Sequence, residues 1–299
     1  MDWIAPFINV KIYREVEEAA SALLFELGAT GISLELVEGS DILDINAYGW
    51  DTWAEVHKLT PLFEAQLQEV YTHYNAGDAP EILTGQVERA QWENAYRAFY
   101  EPTRITKHLT IAPIWKNHRE VATKEEVLIE LNPGAAFGTG THPTTVLALY
   151  ALEQVMRGGE TVIDVGTGSG VLAIAAVALG AEKVLATDND EVAIKVASEN
   201  FEKNAINNKI ELKQNNLLDG IDLSADIIIA NMLAEPLLLM LDDAVRLLKD
   251  DGALILSGIY YDKYRTIFEK IESLGLFVDT HMKRDNWFCF IAKKEAENG

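Results

Sequence analysis

The spacing of apolar and polar residues changes several times over the first 85 positions, and each change marks an element. Trp3–Val10 alternates with the period of two expected of a half-buried strand. Glu15–Leu27 then sets Val16, Ala19, Ala20, Leu23, Leu24 and Leu27 at helical spacing, and Gly28 ends the run. Gly31–Val37 and Ile42–Tyr48 read as two more strands. Pro61 opens a second helix through Leu62, Leu67, Val70 and Tyr71, stopped by Asn75-Ala76-Gly77, and Glu81–Val87 reads as a fourth strand. The order strand, helix, strand, strand, helix, strand predicts a small ferredoxin-like α+β domain over residues 1–85.

Residues 86–120 read as a connector, with an aromatic helix over Gln86–Tyr100 (Trp92, Tyr96, Phe99, Tyr100) closed by Pro102. Two strand-like runs, His108–Ile114 and Val127–Leu131, follow. From Thr144 strands alternate with helices: strands Thr161–Val165, Lys183–Asp188, Ile210–Lys213, Ala225–Ala230 and Ala253–Gly258, and helices Val171–Leu179, Glu191–Asn204 and Leu233–Leu248. Short runs as apolar as Ile227-Ile228-Ile229-Ala230 suit a parallel sheet covered on both faces. A doubly wound α/β domain over 121–299 is expected. It closes with helix Tyr261–Leu274 and strands Leu276–Lys283 and Trp287–Lys293, whose short link at Asp285-Asn286 implies an antiparallel hairpin.

Charge changes the picture most in the front domain. Over the whole chain 47 acids face 25 bases, a formal net charge of −22. Residues 1–85 carry 15 acids and only three bases, Lys11, Arg14 and Lys58. Such a surface serves solubility, or attracts a basic partner; in either case it repels free RNA and DNA, whose phosphates require Lys and Arg. No apolar run approaches the ~20 residues of a membrane span. The acidic start and the absence of a cleavage-type segment argue against a secretory signal, so a cytoplasmic protein is expected, and for two domains a mobile monomer is the natural state. Cys289 is the only cysteine. It reads as a small buried apolar residue, and no metal-ligand spacing links the histidines.

The candidate chemistry lies in Val162-Ile163-Asp164-Val165-Gly166-Thr167-Gly168-Ser169-Gly170, between a strand and a helix. Glycines let a ligand lie against the backbone beside a helix N-terminus. Asp188 ends the next strand, where a carboxylate can accept hydrogen bonds from both ribose hydroxyls of an adenosine. The third glycine of the dinucleotide fingerprint is missing, since Val171 stands three beyond Gly168, and no phosphate-binding Gly-Lys-Ser/Thr is present. Asp164, just before the turn, could meet the ammonium of a methionine moiety. These features point to S-adenosylmethionine, which carries no phosphate.

A longer stretch, Asn132-Pro133-Gly134-Ala135-Ala136-Phe137-Gly138-Thr139-Gly140-Thr141-His142-Pro143-Thr144-Thr145, joins Asp164–Gly170, Asp188 and Asn231-Met232-Leu233-Ala234-Glu235-Pro236. Together these resemble the PrmA family of ribosomal protein methyltransferases, which act on amino groups of protein eleven of the large ribosomal subunit. The resemblance covers the connector and the catalytic half, and implies the seven-stranded sheet of class I methyltransferases. It implies cofactor contacts at Thr145, Gly166, Asp188 and Asn231. Thr141, Asp164 and Gly168 join this set from their positions around the turn and the helix start.

In methyl transfer to an amine the protein chiefly positions and desolvates the reactants. Asn231 follows strand Ala225–Ala230, at the carboxyl edge where such sheets bind ligands, and is the expected catalytic residue, accepting a hydrogen bond from the attacking amine. A contact to the cofactor alone is the alternative. His142 reads as a base or as a residue that packs or caps near the site. The acidic front domain is expected to recognise a basic ribosomal protein. Rival readings are a methyltransferase of small molecules or RNA on the same sheet, a nicotinamide-dependent oxidoreductase, and a non-catalytic adenosine-binding module.

Overall fold

The computed structural model describes residues 4–29, 31–37, 39–50, 52–88, 101–121, 123, 126–132, 140 and 142–294. The chain divides into two compact units, residues 1–100 and 101–299.

In the first unit, β1 (Ile4–Tyr13), α1 (Glu17–Glu26), β2 (Gly31–Leu36), β3 (Ile42–Tyr48), α2 (Trp53–His73) and β4 (Ile82–Glu88) follow the expected order. The sheet runs β2-β3-β1-β4 with every pairing antiparallel, as in a ferredoxin-like fold. Ile8, Val10 and Ile12 of β1 pack with Leu24 of α1 and with Val56, Phe63, Leu67 and Tyr71 of α2. Helix α2 begins at Trp53, about two turns ahead of Pro61. A capping box explains the early start: Thr52 Oγ1 accepts from the Glu55 amide at 3.3 Å, and the Glu55 carboxylate accepts from the Thr52 amide at 3.0 Å. Pro61 therefore lies inside the helix, which sequence spacing alone reads as a start. Immediately before it, the Thr60 hydroxyl donates to the Val56 carbonyl one turn back at 2.7 Å. The aromatic helix expected over Gln86–Tyr100 lies, from residue 89 onward, outside the described residues.

The second unit begins earlier than residue 121. Strands β5 (Thr103–Arg104), β6 (Leu109–Pro113) and β7 (Val127–Leu131) form a small sheet, with β6 and β7 parallel. Residues 101–120, read from sequence as the later part of a connector, belong here because Ile105, Leu109 and Ile111 are buried in this unit's core.

Next come α3 (Pro143–Val155), β8 (Thr161–Val165), α4 (Val171–Ala178), β9 (Lys183–Asp188), α5 (Glu191–Lys203), β10 (Ile210–Gln214) and β11 (Ala225–Asn231). The unit ends with α6 (Ala234–Leu247), β12 (Leu248–Tyr260), α7 (Tyr264–Ser273), β13 (Leu276–Arg284) and β14 (Trp287–Lys294). Their sheet runs β10-β9-β8-β11-β12-β14-β13, and only β14 opposes its neighbours. This is the seven-stranded class I methyltransferase arrangement with its terminal antiparallel hairpin. Asp285, in the two-residue hairpin turn, takes a left-handed φ of 54°, as tight hairpin turns require.

Adjacent residues on each parallel strand face opposite cores. Val162, Val184, Ile227 and Ile229 join α3, α4 and α5 on one face; Ile163, Leu185, Ile228 and Ala230 join α6 and α7 on the other. Such two-sided burial explains why these strands are apolar without alternation. Cys289 is buried within the first of these cores, and burial pushes its thiol up to about 12, away from nucleophilic use. Among the described residues no helix is long and apolar enough to cross a membrane, and no cluster of His, Cys, Asp or Glu is placed to hold a metal.

Candidate active site

Strand order reverses between β8 and β11, so the crevice at their carboxyl ends is where a ligand can enter between diverging loops. The turn after β8 crosses toward β9: the Gly166 and Thr167 amides both donate to the Thr187 carbonyl, at 2.9 and 2.8 Å. Gly166, Gly168 and Gly170 all have positive φ, at 70°, 54° and 83°. Gly166 is additionally crowded, since a Cβ there would stand 2.6 Å from Met232 Sδ. The segment after β11 thus packs directly against the turn.

Asp188 is tied to the same turn. Its Oδ2 accepts from the Gly168 amide at 2.9 Å and its Oδ1 from the Asp190 amide at 3.0 Å. The two sequence-predicted features, glycine turn and distal carboxylate, therefore form one unit.

Asp164 is placed differently from the sequence expectation. It is fully buried beneath the turn, and its Oδ2 accepts from Thr167 Oγ1 at 2.6 Å and from the Ala173 amide at 3.1 Å. Ala173 lies in the first turn of α4, whose N-cap, Gly170, offers no side chain. Asp164 thus caps that helix from the neighbouring strand, satisfying an amide that would otherwise lack a partner. Among the described residues its Oδ1 has no hydrogen-bond partner. Burial pushes the carboxyl up to about 7; the charge of Asp188 adds to the rise, and the bonds from Thr167 and Ala173 oppose it.

Asn231, the last residue of β11, donates from Nδ2 to Thr145 Oγ1 at 3.2 Å. Thr145 is wholly buried in the first turn of α3. The Ser257 hydroxyl of β12 donates to the Thr144 carbonyl at 2.8 Å, fastening the same turn to the sheet. Thr141 lies outside the described residues. His142 is the N-cap of α3: its Nδ1 accepts from the Thr144 amide at 3.3 Å and contacts Thr144 Oγ1 at 2.8 Å. Its ring meets Trp287 edge-on, with centroids 5.6 Å apart. Of the two readings offered by sequence, the cap describes this arrangement.

Two further residues escape a motif search. Asn200 within α5 and Asn204 at its C-cap, one turn apart, use their amides as substitute peptide groups. Asn200 Nδ2 donates to the Ser169 carbonyl at 2.8 Å and its Oδ1 accepts from the Asn132 amide at 2.8 Å. Asn204 pairs with both the amide and the carbonyl of Glu130, at 3.0 and 2.7 Å. The available signal was Asn200 inside a helix, where that residue is a poor helix former and needs a tertiary reason.

The comparisons with known proteins concern the chain as a whole. The sequence profile of a family described as "Ribosomal protein L11 methyltransferase (PrmA)" matches residues 3–295. The chain belongs to this family. A family relative from Lactococcus lactis subsp. cremoris (strain SK11), named ribosomal protein L11 methyltransferase, is 45% identical over 304 residues, covering 96% of this chain and 95% of its own. One of the same name from Streptococcus pneumoniae (strain ATCC 700669 / Spain 23F-1) is 43% identical, covering 97% and 96%. The crystal structure of a ribosomal protein L11 methylase from Lactobacillus delbrueckii subsp. bulgaricus superposes with a TM-score of 0.62 at 38% identity, over 66% of this chain and all of that one. The family match spans both units.

Proposed function

We propose that this chain transfers methyl groups from S-adenosylmethionine to lysine side-chain amines, and to the α-amino group, of ribosomal protein L11. The observation that carries the reading is the Asp188 carboxylate fastened to the Gly168 amide, at the carboxyl ends of the central strands. The family match supports methyl transfer to L11.

The residues present suit this cofactor. The turn from Asp164 to Gly170 has the Asp188 carboxylate at hand and no lysine or arginine of its own. That donor set favours a ligand bearing hydroxyls and positive charge over one bearing phosphate. Gly166, Gly168, Asp188, Thr145 and Asn231 would hold the cofactor, with Thr141 beside them in sequence. When bound, S-adenosylmethionine supplies an electrophilic methyl group on a cationic sulfur.

Everything else falls to the protein. A lysine amine with an ordinary pKa of about 10.4 must lose its proton before it attacks. A dry site beside a positive charge lowers that pKa, since both effects disfavour a second cation. Thr145 holds the Asn231 amide through Nδ2, which leaves Oδ1 to accept a hydrogen bond from the amine and aim its lone pair. The acidic first unit is the recognition surface for the basic substrate, and the setting is the cytoplasm, with the ribosome. Titration of the enzyme with S-adenosylmethionine, followed by label transfer from its methyl group to purified L11, tests the reading. Absence of transfer would refute it.

A further inference from the structure

Three aromatic rings and the His142 imidazole line the carboxyl edge of the sheet beside Asn231, and the mechanism above uses none of them. Tyr260 ends β12, three residues beyond Ser257, the residue paired with Asn231 in the sheet. Tyr260 is paired with Trp287 where β12 and β14 run antiparallel side by side. Their rings lie 5.0 Å apart at 61°; Tyr261 meets Tyr260 at 4.9 Å and 57°, and His142 meets Trp287 at 5.6 Å and 69°. Successive rings are steeply inclined, so they form a folded wall and not a flat stack. A small cation resting on a folded wall can meet more than one ring face.

The wall is joined to the site at both ends. His142 caps the helix whose Thr145 holds Asn231. Gly258, between Ser257 and Tyr260, is pressed against the segment after Asn231: a Cβ there would stand 2.2 Å from the Met232 carbonyl oxygen. Beyond Met232, Leu233 is 62% exposed, and Tyr261 is 60% exposed, so large apolar side chains stand open on both chain segments of this rim. Of the charges flanking this rim, Glu235 and Lys263 pair with each other at 3.4 Å, while Asp262 follows Tyr261 in the chain.

We propose that Tyr260 and Tyr261, backed by Trp287, form the subsite that receives the aliphatic stem and the amino group of the substrate side chain. The inference rests on the function proposed above and deepens it. Ring faces attract ammonium and methylammonium groups without donating a full negative charge. A carboxylate in their place would stabilise the protonated amine strongly and oppose the deprotonation that attack requires. Aromatic faces also accommodate added methyl groups, which carboxylate hydrogen bonds do not, so the same wall serves successive transfers to one nitrogen.

The test compares wild-type enzyme with Tyr261→Leu and Tyr261→Phe, Tyr261 being exposed enough to change without opening the core. Saturation-transfer NMR with choline as the probe should show contact with the trimethylammonium group, and none with 3,3-dimethyl-1-butanol, its neutral isostere. Tyr261→Leu should weaken choline binding and lower kcat/KM for L11 about 3- to 30-fold, the range of a desolvated cation–ring contact. Its affinity for S-adenosylmethionine should not move. Tyr261→Phe, which keeps the ring face, should recover most of the loss. Equal binding of the neutral isostere, or a Tyr261→Leu enzyme with wild-type kcat/KM, overturns the proposal while leaving the methyltransferase reading intact. A wild-type enzyme that moves no label to L11 overturns both.

Discussion

Asn200 binds Ser169 across the fold: its side-chain amide donates to the carbonyl in the middle of the glycine turn at 2.8 Å. The same side chain accepts from the Asn132 amide, so one buried residue joins the turn to the strand end that opens the Asn132–Thr145 motif. Asn200 is fully buried, so removing its side chain removes two interior hydrogen bonds at once.

Asn200→Ala should therefore destabilise the second unit by about 2 kcal/mol, from two hydrogen bonds at about 1 kcal/mol each. Thermal denaturation should show a midpoint lowered by roughly 4–8 °C. Affinity for S-adenosylmethionine should fall with it, because Ser169 lies inside the cofactor turn. A variant with unchanged melting and unchanged cofactor titration would show that the bridge has no role.

Asp164 predicts a pH dependence of unusual sign for a carboxylate. Its folded pKa, about 7, is raised above the ordinary aspartate value of 3.8. The folded state then holds a proton that the unfolded state releases between those two values, so stability falls as pH rises through that window. Relative to Asp164→Asn, which mimics the protonated form, the wild type should lose about 1.4 kcal/mol per pH unit between roughly pH 5 and 7. Above that range the difference should level off. Chemical denaturation of both proteins across pH 5–8 measures it, and parallel curves would refute the assignment.

The strand–turn–helix unit from Thr161 is legible in sequence because its signals are local: an apolar run, three closely spaced glycines, a second apolar run. Asp188 is legible for the same reason, ending a short strand on a parallel sheet. What escapes is tertiary. Helix α2 starts at a capping box that the more conspicuous Pro61 obscures. Strand β12 runs from Leu248, through exposed Lys249, Asp250 and Asp251, where no apolar periodicity announces a strand. Asp164 stands where a cofactor contact would be expected, yet only coordinates reveal that it caps α4. Asn200 carries no motif at all, since its partners lie 31 and 68 positions away.

Asn231→Ala tests the chemistry of the edge. Thr145 would lose its partner and the amine its acceptor, but neither change opens the apolar core. Turnover with L11 should drop about 100-fold, the scale of misplacing a reacting group. Cofactor affinity should fall far less. Unchanged turnover would remove Asn231 from the mechanism; an equal loss in both quantities would reduce it to a cofactor contact.

The charge of the first unit predicts how substrate recognition responds to salt. Fifteen acids against three bases over residues 1–85 create a field that a basic protein follows toward the enzyme, and that field is screened over about 10 Å at 0.1 M salt but about 3 Å at 1 M. Raising ionic strength should therefore lower kcat/KM for L11 and leave S-adenosylmethionine binding nearly constant. Residues 101–299 alone, cut at the boundary between the two units, should bind the cofactor normally. Their methylation of L11 should fall at least tenfold, as loss of about 1.4 kcal/mol of binding implies. If the shortened enzyme methylated L11 at the full rate with an unchanged salt response, recognition would have to lie in the second unit.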